Sequence, residues 1–134
     1  MTEFQGGCLC GPIRYRASAA PFDETYCHCG LCRRAGGAPV VAWASFPAQQ
    51  FSFTRGQPVR FESSKLACRE FCARCGTQLT FRYVASPDTI DVTIASLDDP
   101  AVIRPKDHVW YGSRIHWFDT RDELPRFPEH RSGG

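Results

Sequence analysis

"TQLTFRYV", residues 77–84, sets Leu79, Phe81 and Tyr83 against Thr80 and Arg82. A strand points successive side chains to opposite faces, so this period of two describes a strand with one face buried. "DTIDVTIASL", residues 88–97, repeats the pattern with Ile90, Val92 and Ile94 against Asp91 and Thr93. Working outward, "GPIRYRAS" (11–18), "APVVAWASF" (38–46), "QFSFTRG" (50–56) and "PVRFESS" (58–64) are further β-prone runs. Each is bounded by Pro, Gly or Ser, which suits short strands joined by turns. The best helical stretch is a turn or so from Leu31 to Ala35, ended by Gly36 and Gly37. The expectation is an all-β, mainly antiparallel domain. The tail "LPRFPEHRSGG" (124–134) has no periodicity and two prolines, so it is expected to wrap loosely or fray.

The chain has 134 residues, of which 43% are hydrophobic and 22% charged. That suits a single globular domain over residues 1–134 with a substantial core. A formal charge of +2 argues against nucleic acid or an anionic membrane as the main partner. The sequence has no apolar run of about 18 residues, so no spanning helix is expected. "MTEFQGG" carries neither the basic nor the apolar region of a secretory signal, and the expected compartment is the cytoplasm. In a reducing compartment, eight cysteines point to metal ligands or catalysts before disulfides.

The cysteines fall into three groups. "GGCLCG" supplies Cys8 and Cys10, "CHCGLC" supplies Cys27, Cys29 and Cys32, and "CREFCARCG" supplies Cys68, Cys72 and Cys75. Residues i and i+2 of an extended chain share a face, so Cys8 and Cys10 can meet one metal. Cys72-x-x-Cys75 followed by Gly76 has the spacing of a zinc knuckle, and two such pairs make a tetrahedral four-thiolate site. A redox dithiol would call for a βαβ setting that the sequence lacks, and the spacings match no common iron–sulfur pattern. Cys27, Cys29 and Cys32 fill three corners of a second tetrahedron. The fourth belongs to water, a substrate or a distant side chain, with Cys68 a candidate to close it. Cys68 is otherwise a small buried apolar residue. Catalytic zinc characteristically keeps one position for substrate, whereas a closed set describes a structural site.

His28 lies between two of these ligands, and neighbouring residues in an extended chain face opposite ways, which favours a supporting or exposed role. Arg33 and Arg34 are either solvated surface charges or a counterweight to the thiolates that draws in an anionic substrate. Trp43, His108, Trp110 and Trp117 either pack in the core or line a cleft.

Four stretches, "GGCLCGPIRY" (6–15), "YCHCGLCRR" (26–34), "REFCARCGTQL" (69–79) and "DHVWYGSRIHWF" (107–118), resemble the glutathione-dependent formaldehyde-activating family. The likeness spans about residues 6–118, leaving a tail of about 119–134. It implies a β-tent fold, two packed, mainly antiparallel sheets pinned by zinc. It further implies a structural zinc on Cys8, Cys10, Cys72 and Cys75, and a second, activity-linked zinc on Cys27, Cys29 and Cys32. The implied reaction joins formaldehyde and glutathione into S-(hydroxymethyl)glutathione, formally a carbon–sulfur lyase reaction in reverse. His28 and Arg33 are candidates to steady or protonate the nascent alkoxide. The competing expectation is a non-catalytic zinc module of the same fold that binds a macromolecule. Redox sensing by Cys27, Cys29 and Cys32 is a third.

Overall fold

A computed structural model describes residues 3–131. The alternating runs become strands, and two sheets form. The smaller holds β1 (Phe4–Gly7), β2 (Arg14–Ala17) and β5 (Phe51–Arg55) in the order β1-β2-β5. The larger adds β3 (Phe22–Cys27), β4 (Val41–Pro47), β6 (Val59–Ser64), β7 (Ala67–Phe71), β8 (Gln78–Tyr83), β9 (Thr89–Thr93) and β10 (Asp107–Val109). Its order is β10-β3-β4-β9-β8-β7-β6. The expected all-β, two-sheet architecture is what the chain adopts. Every pairing is antiparallel except that of β10 with β3.

Between the sheets, Tyr15 and Ala17 meet Ala44, Phe46, Ile90 and Val92 in one continuous core. Tyr15 is buried, with its hydroxyl 2.7 Å from Ser96 Oγ, which satisfies the phenol inside an apolar layer. Gly6 makes this close packing possible. A Cβ there would overlap the Tyr15 hydroxyl and the Ser96 carbonyl. On its opposite face the larger sheet buries Trp43 against Cys27 and Cys32, with Val41, Phe81 and Trp110 packed around them.

The structure departs from expectation in three places. Ile94 leaves the strand for a 3-10 turn over Ile94–Ser96, yet it stays buried, so the core gains the same side chain from another backbone. The α-helix α1 (Gly30–Gly36) is slightly longer than expected, and Gly37 ends it in the left-handed conformation, φ 61°. The tail does not wrap loosely. The carbonyls of Pro125, Phe127, Pro128 and Glu129 accept from the backbone N–H groups of His108, Tyr111, Gly112 and Trp110 at 2.8–3.1 Å. Arg131 grips both carboxylate oxygens of Asp107. These are backbone bonds and one ion pair, so no side-chain period announces them. Residues 132–134 of that tail lie outside the described residues.

Candidate metal and active site

The two cysteine groups are gathered by different devices. Cys8 and Cys10 sit in the tight loop after β1, where the Gly11 N–H bonds to the Cys8 carbonyl at 3.2 Å and Gly11 takes φ 98°. Cys72 and Cys75 sit in the turn between β7 and β8. There the Gly76 N–H donates to the Cys72 carbonyl at 2.8 Å, with Gly76 at φ 78°. The N–H groups of Arg74 and Cys75 both point at the Cys72 sulfur, at 3.4 and 3.5 Å. Leu9 N–H to Thr77 Oγ1 at 3.0 Å zips the two loops together. The four sulfurs lie within 4.8 Å of one another. Cys8 to Cys10 is 3.8 Å and Cys10 to Cys72 is 3.7 Å. A tetrahedron with Zn–S bonds of about 2.3 Å has sulfur–sulfur edges of about 3.8 Å. The four-thiol set therefore fits a tetrahedral metal in composition and in span. The Thr77 hydroxyl, 3.1 Å from the Cys75 sulfur, holds that thiol down at about 5, which favours the ligating thiolate.

Cys27 ends β3, Cys29 is the N-cap of α1, and Cys32 lies in its first turn. The Cys29 sulfur accepts the Cys32 N–H at 3.2 Å, so one sulfur both caps the helix and turns toward its neighbours. These three sulfurs also lie within 4.8 Å of one another. Hydrogen bonds from the Cys27 and Cys32 thiols, joined by backbone N–H groups, pull Cys29 far below the ordinary thiol range. The same crowding, with burial, pushes Cys27 far above it. Three thiols this close surrender one proton readily and the others reluctantly, a frustration that a cation relieves.

Cys68 does not join them. It is buried on β7 opposite Arg82, and its strand neighbour Arg69 faces the cluster instead. Arg69 is itself buried. Its Nη2 lies 3.7 Å from the Cys32 sulfur, its Nη1 donates to Gln78 Oε1 at 2.8 Å, and its guanidinium stacks 4.8 Å over Phe81. Sequence reasoning offered Arg33 and Arg34 as surface charges or as the cluster's counterweight and missed Arg69. The available signal was a charged residue two positions before Phe71, on the face a strand would bury. Arg34 is exposed on α1, and Arg33 sends Nη2 to the Ser113 carbonyl at 3.4 Å.

The three-cysteine group opens into a cavity of about 640 Å³, within the range of about 300–1,000 Å³ of small-molecule sites. Arg69, Trp43, Phe81, Asp91 and Trp110 share its wall with the cysteines. Trp43 and Trp110 thus both pack and line. Of the other two, His108 is buried away from the cavity, and Trp117 is exposed. Desolvation pushes Asp91 up to about 6, while the Ser45 hydroxyl, donating at 2.6 Å, partly offsets it.

His28 and Arg33 take no part in the cavity wall. The ring of His28 turns to the far side of β3 and is fully buried rather than exposed, with its Nε2 2.8 Å from His108 Nδ1. The Asp122 carboxylate accepts from His108 Nε2, 3.1 Å away, so the network assigns the proton of the His–His bond to His28 Nε2. His28 Nδ1 is left buried and without a partner. Burial, with His108 alongside, drops His28 to about 4 and keeps the ring neutral.

Comparison with known proteins covers the stretch that holds all the cysteines. The family model described as glutathione-dependent formaldehyde-activating enzyme matches residues 3–113. An uncharacterized lyase of Schizosaccharomyces pombe (strain 972 / ATCC 24843) is 36% identical over 90 residues, 62% of this chain and 60% of that protein's length. The crystal structure of a Rhodobacter sphaeroides protein superposes with a TM-score of 0.61 at 21% identity. That match covers 91% of this chain and 98% of the other, a likeness of fold. No helix among the described residues is long and apolar enough to cross a membrane.

Proposed function

The chain belongs to the glutathione-dependent formaldehyde-activating family, and from that premise we propose that it is a zinc-dependent carbon–sulfur lyase acting on thiol–aldehyde adducts, with glutathione and formaldehyde as the leading pair. The observation that carries the reading is a ligand count beside a cavity. Cys27, Cys29 and Cys32 converge, no fourth Cys, His, Asp or Glu joins them among the described residues, and the cavity opens over them. Cys8, Cys10, Cys72 and Cys75 would hold a structural zinc, and the three cysteines a second. Bound there, Zn²⁺ would supply the positive charge that lets an incoming thiol ionise at neutral pH.

The chain's own residues account for the rest. Arg69, buried against Cys32, offsets the negative charge of three thiolates and keeps them oriented. Trp43, Phe81 and Trp110 give the cavity an apolar wall that excludes water from the reacting carbon. Formaldehyde adds to thiols unaided, so the protein's gain lies in holding sulfur and carbonyl in attack geometry. Because His28 turns from the cavity, its part is to fix the backbone between two ligands through His108, rather than to touch substrate.

Cobalt substitution tests this directly. Two metals per chain are expected, and glutathione should shift the visible bands of one of them, with S-(hydroxymethyl)glutathione forming faster than in the protein-free mixture when formaldehyde is added. A single metal per chain, bands indifferent to glutathione and no acceleration over the unaided reaction would overturn the reading.

A further inference from the structure

Addition of a thiol to an aldehyde moves one proton from sulfur to oxygen, and a side chain on the cavity wall can carry it. The docked tail, which extends beyond the matched residues 3–113, brings His130 to that wall. The backbone is pinned on both sides of it. The Glu129 carbonyl accepts the Trp110 N–H at 2.9 Å, and Arg131 grips Asp107 while reaching Asp23 at 3.5 Å. Between these anchors the His130 ring stands edge-on to Trp110, with centroids 5.0 Å apart at 68°. Trp110 in turn packs against the cysteine cluster. His130 and the three cysteines therefore line one cavity, with the Trp110 ring packed between His130 and the cluster. His130 is exposed to the cavity yet held in place, and among the described residues its ring nitrogens make no hydrogen bond.

We infer that His130 is the proton-transfer residue of the thiol–aldehyde addition, an assignment that rests on the function proposed above. A neutral ring nitrogen takes the thiol proton. The sulfur lone pair forms the C–S bond while the carbonyl π pair moves onto oxygen, and the imidazolium returns the proton to that oxygen. Nothing is oxidised or reduced, and His130 ends as it began. In the reverse, lyase direction the same nitrogen takes the hydroxyl proton and delivers it to the departing sulfur.

Two variants separate this role from packing. His130→Phe keeps the aromatic contact with Trp110 and removes the proton carrier. His130→Ala leaves a space that free imidazole can enter. Both should lose activity on the order of 10²-fold in kcat, with metal content and the affinity for glutathione unchanged, and added imidazole should restore the alanine variant but not the phenylalanine one. His130→Phe turning over like the wild type, or no rescue of His130→Ala by imidazole, would overturn the assignment while leaving the proposed function standing. A wild-type chain that does not accelerate thiol–aldehyde addition over the unaided reaction would overturn both.

Discussion

The two cysteine groups share a ligand chemistry and differ in what surrounds them. Cys8, Cys10, Cys72 and Cys75 come from two loops more than sixty residues apart and are laced by backbone N–H groups, with Cys10 exposed. Cys27, Cys29 and Cys32 come from six consecutive positions, need a helix N-cap to converge, and face a cavity with a buried arginine behind them. The first arrangement spends all its ligands on joining chain segments. The second is nearly local in sequence, so a metal there would add little to the tying-together of the fold. On the function proposed above, ligand count and loop span together would separate a staple from a working site.

The sharpest way to break that comparison is to remove one ligand from each group. Cys72→Ser should abolish metal binding at the four-cysteine site and leave the chain largely unfolded at room temperature. Structural zinc sites in small peptides contribute about 10–16 kcal/mol of apparent binding energy, comparable to the whole of a domain's usual margin of about 5–15 kcal/mol. Circular dichroism and metal content would read this. Cys29→Ser should instead keep the fold, lose one metal of two, and cost more activity than the roughly 10–100-fold typical of a supporting residue. If Cys29→Ser unfolds the chain as Cys72→Ser does, the division of labour is wrong.

Arg69→Met probes the border between the two roles. It removes the cation beside Cys32 while keeping the stem that packs on Phe81, so weaker binding of the second metal by about 10–100-fold is expected in a chelator competition. The four-cysteine metal should be held as before.

An effect of similar size, on stability rather than on metal affinity, is expected at Asp91. Its carboxyl is raised in the folded state to about 6, from about 3.9 in an unfolded chain. A raised pKa means that the folded state holds the proton more tightly. This contribution is therefore present below pH 4 and is lost as pH rises through 6, at a cost of about 2–3 kcal/mol by pH 7. Asp91→Asn should be more stable than the wild type at pH 7 by up to that amount, with the difference shrinking toward pH 4 in denaturant titrations. No change in the pH dependence would mean that the cavity wall is wetter than its burial implies.

Much of this was legible from the residue order. β8 and β9 follow the two runs that alternate, β2, β4, β5 and β6 follow the β-prone runs bounded by Pro, Gly or Ser, and the seven cysteines that converge stand at telling intervals. β1, β3, β7 and β10 were hidden for physical reasons. β1 ends in two glycines that permit close approach, Gly6 to Tyr15 and Gly7 to the Ile13 carbonyl. β3 carries Asp23 at φ 50° and a register shift that breaks its alternation. β7 buries Arg69, whose partners lie on α1 and β8, and β10 is three residues long and pairs in parallel with a distant strand. The tail was misread because backbone carbonyls hold it. His130 was invisible for the same reason, since only the docked tail brings it to the cavity.

The lacing of Leu9 to Thr77 and of Cys10 to Cys72 also has a meaning in time. A chain leaving the ribosome at about 5–20 residues per second carries Cys8 and Cys10 for roughly 3–12 seconds before their partners emerge. Cys27, Cys29 and Cys32 emerge together within that interval and can take metal first. With zinc held as proposed above, the nascent chain would meet its metals in the opposite order to their importance for folding, and the zinc present as residues 72–75 appear would set when the two loops can be joined.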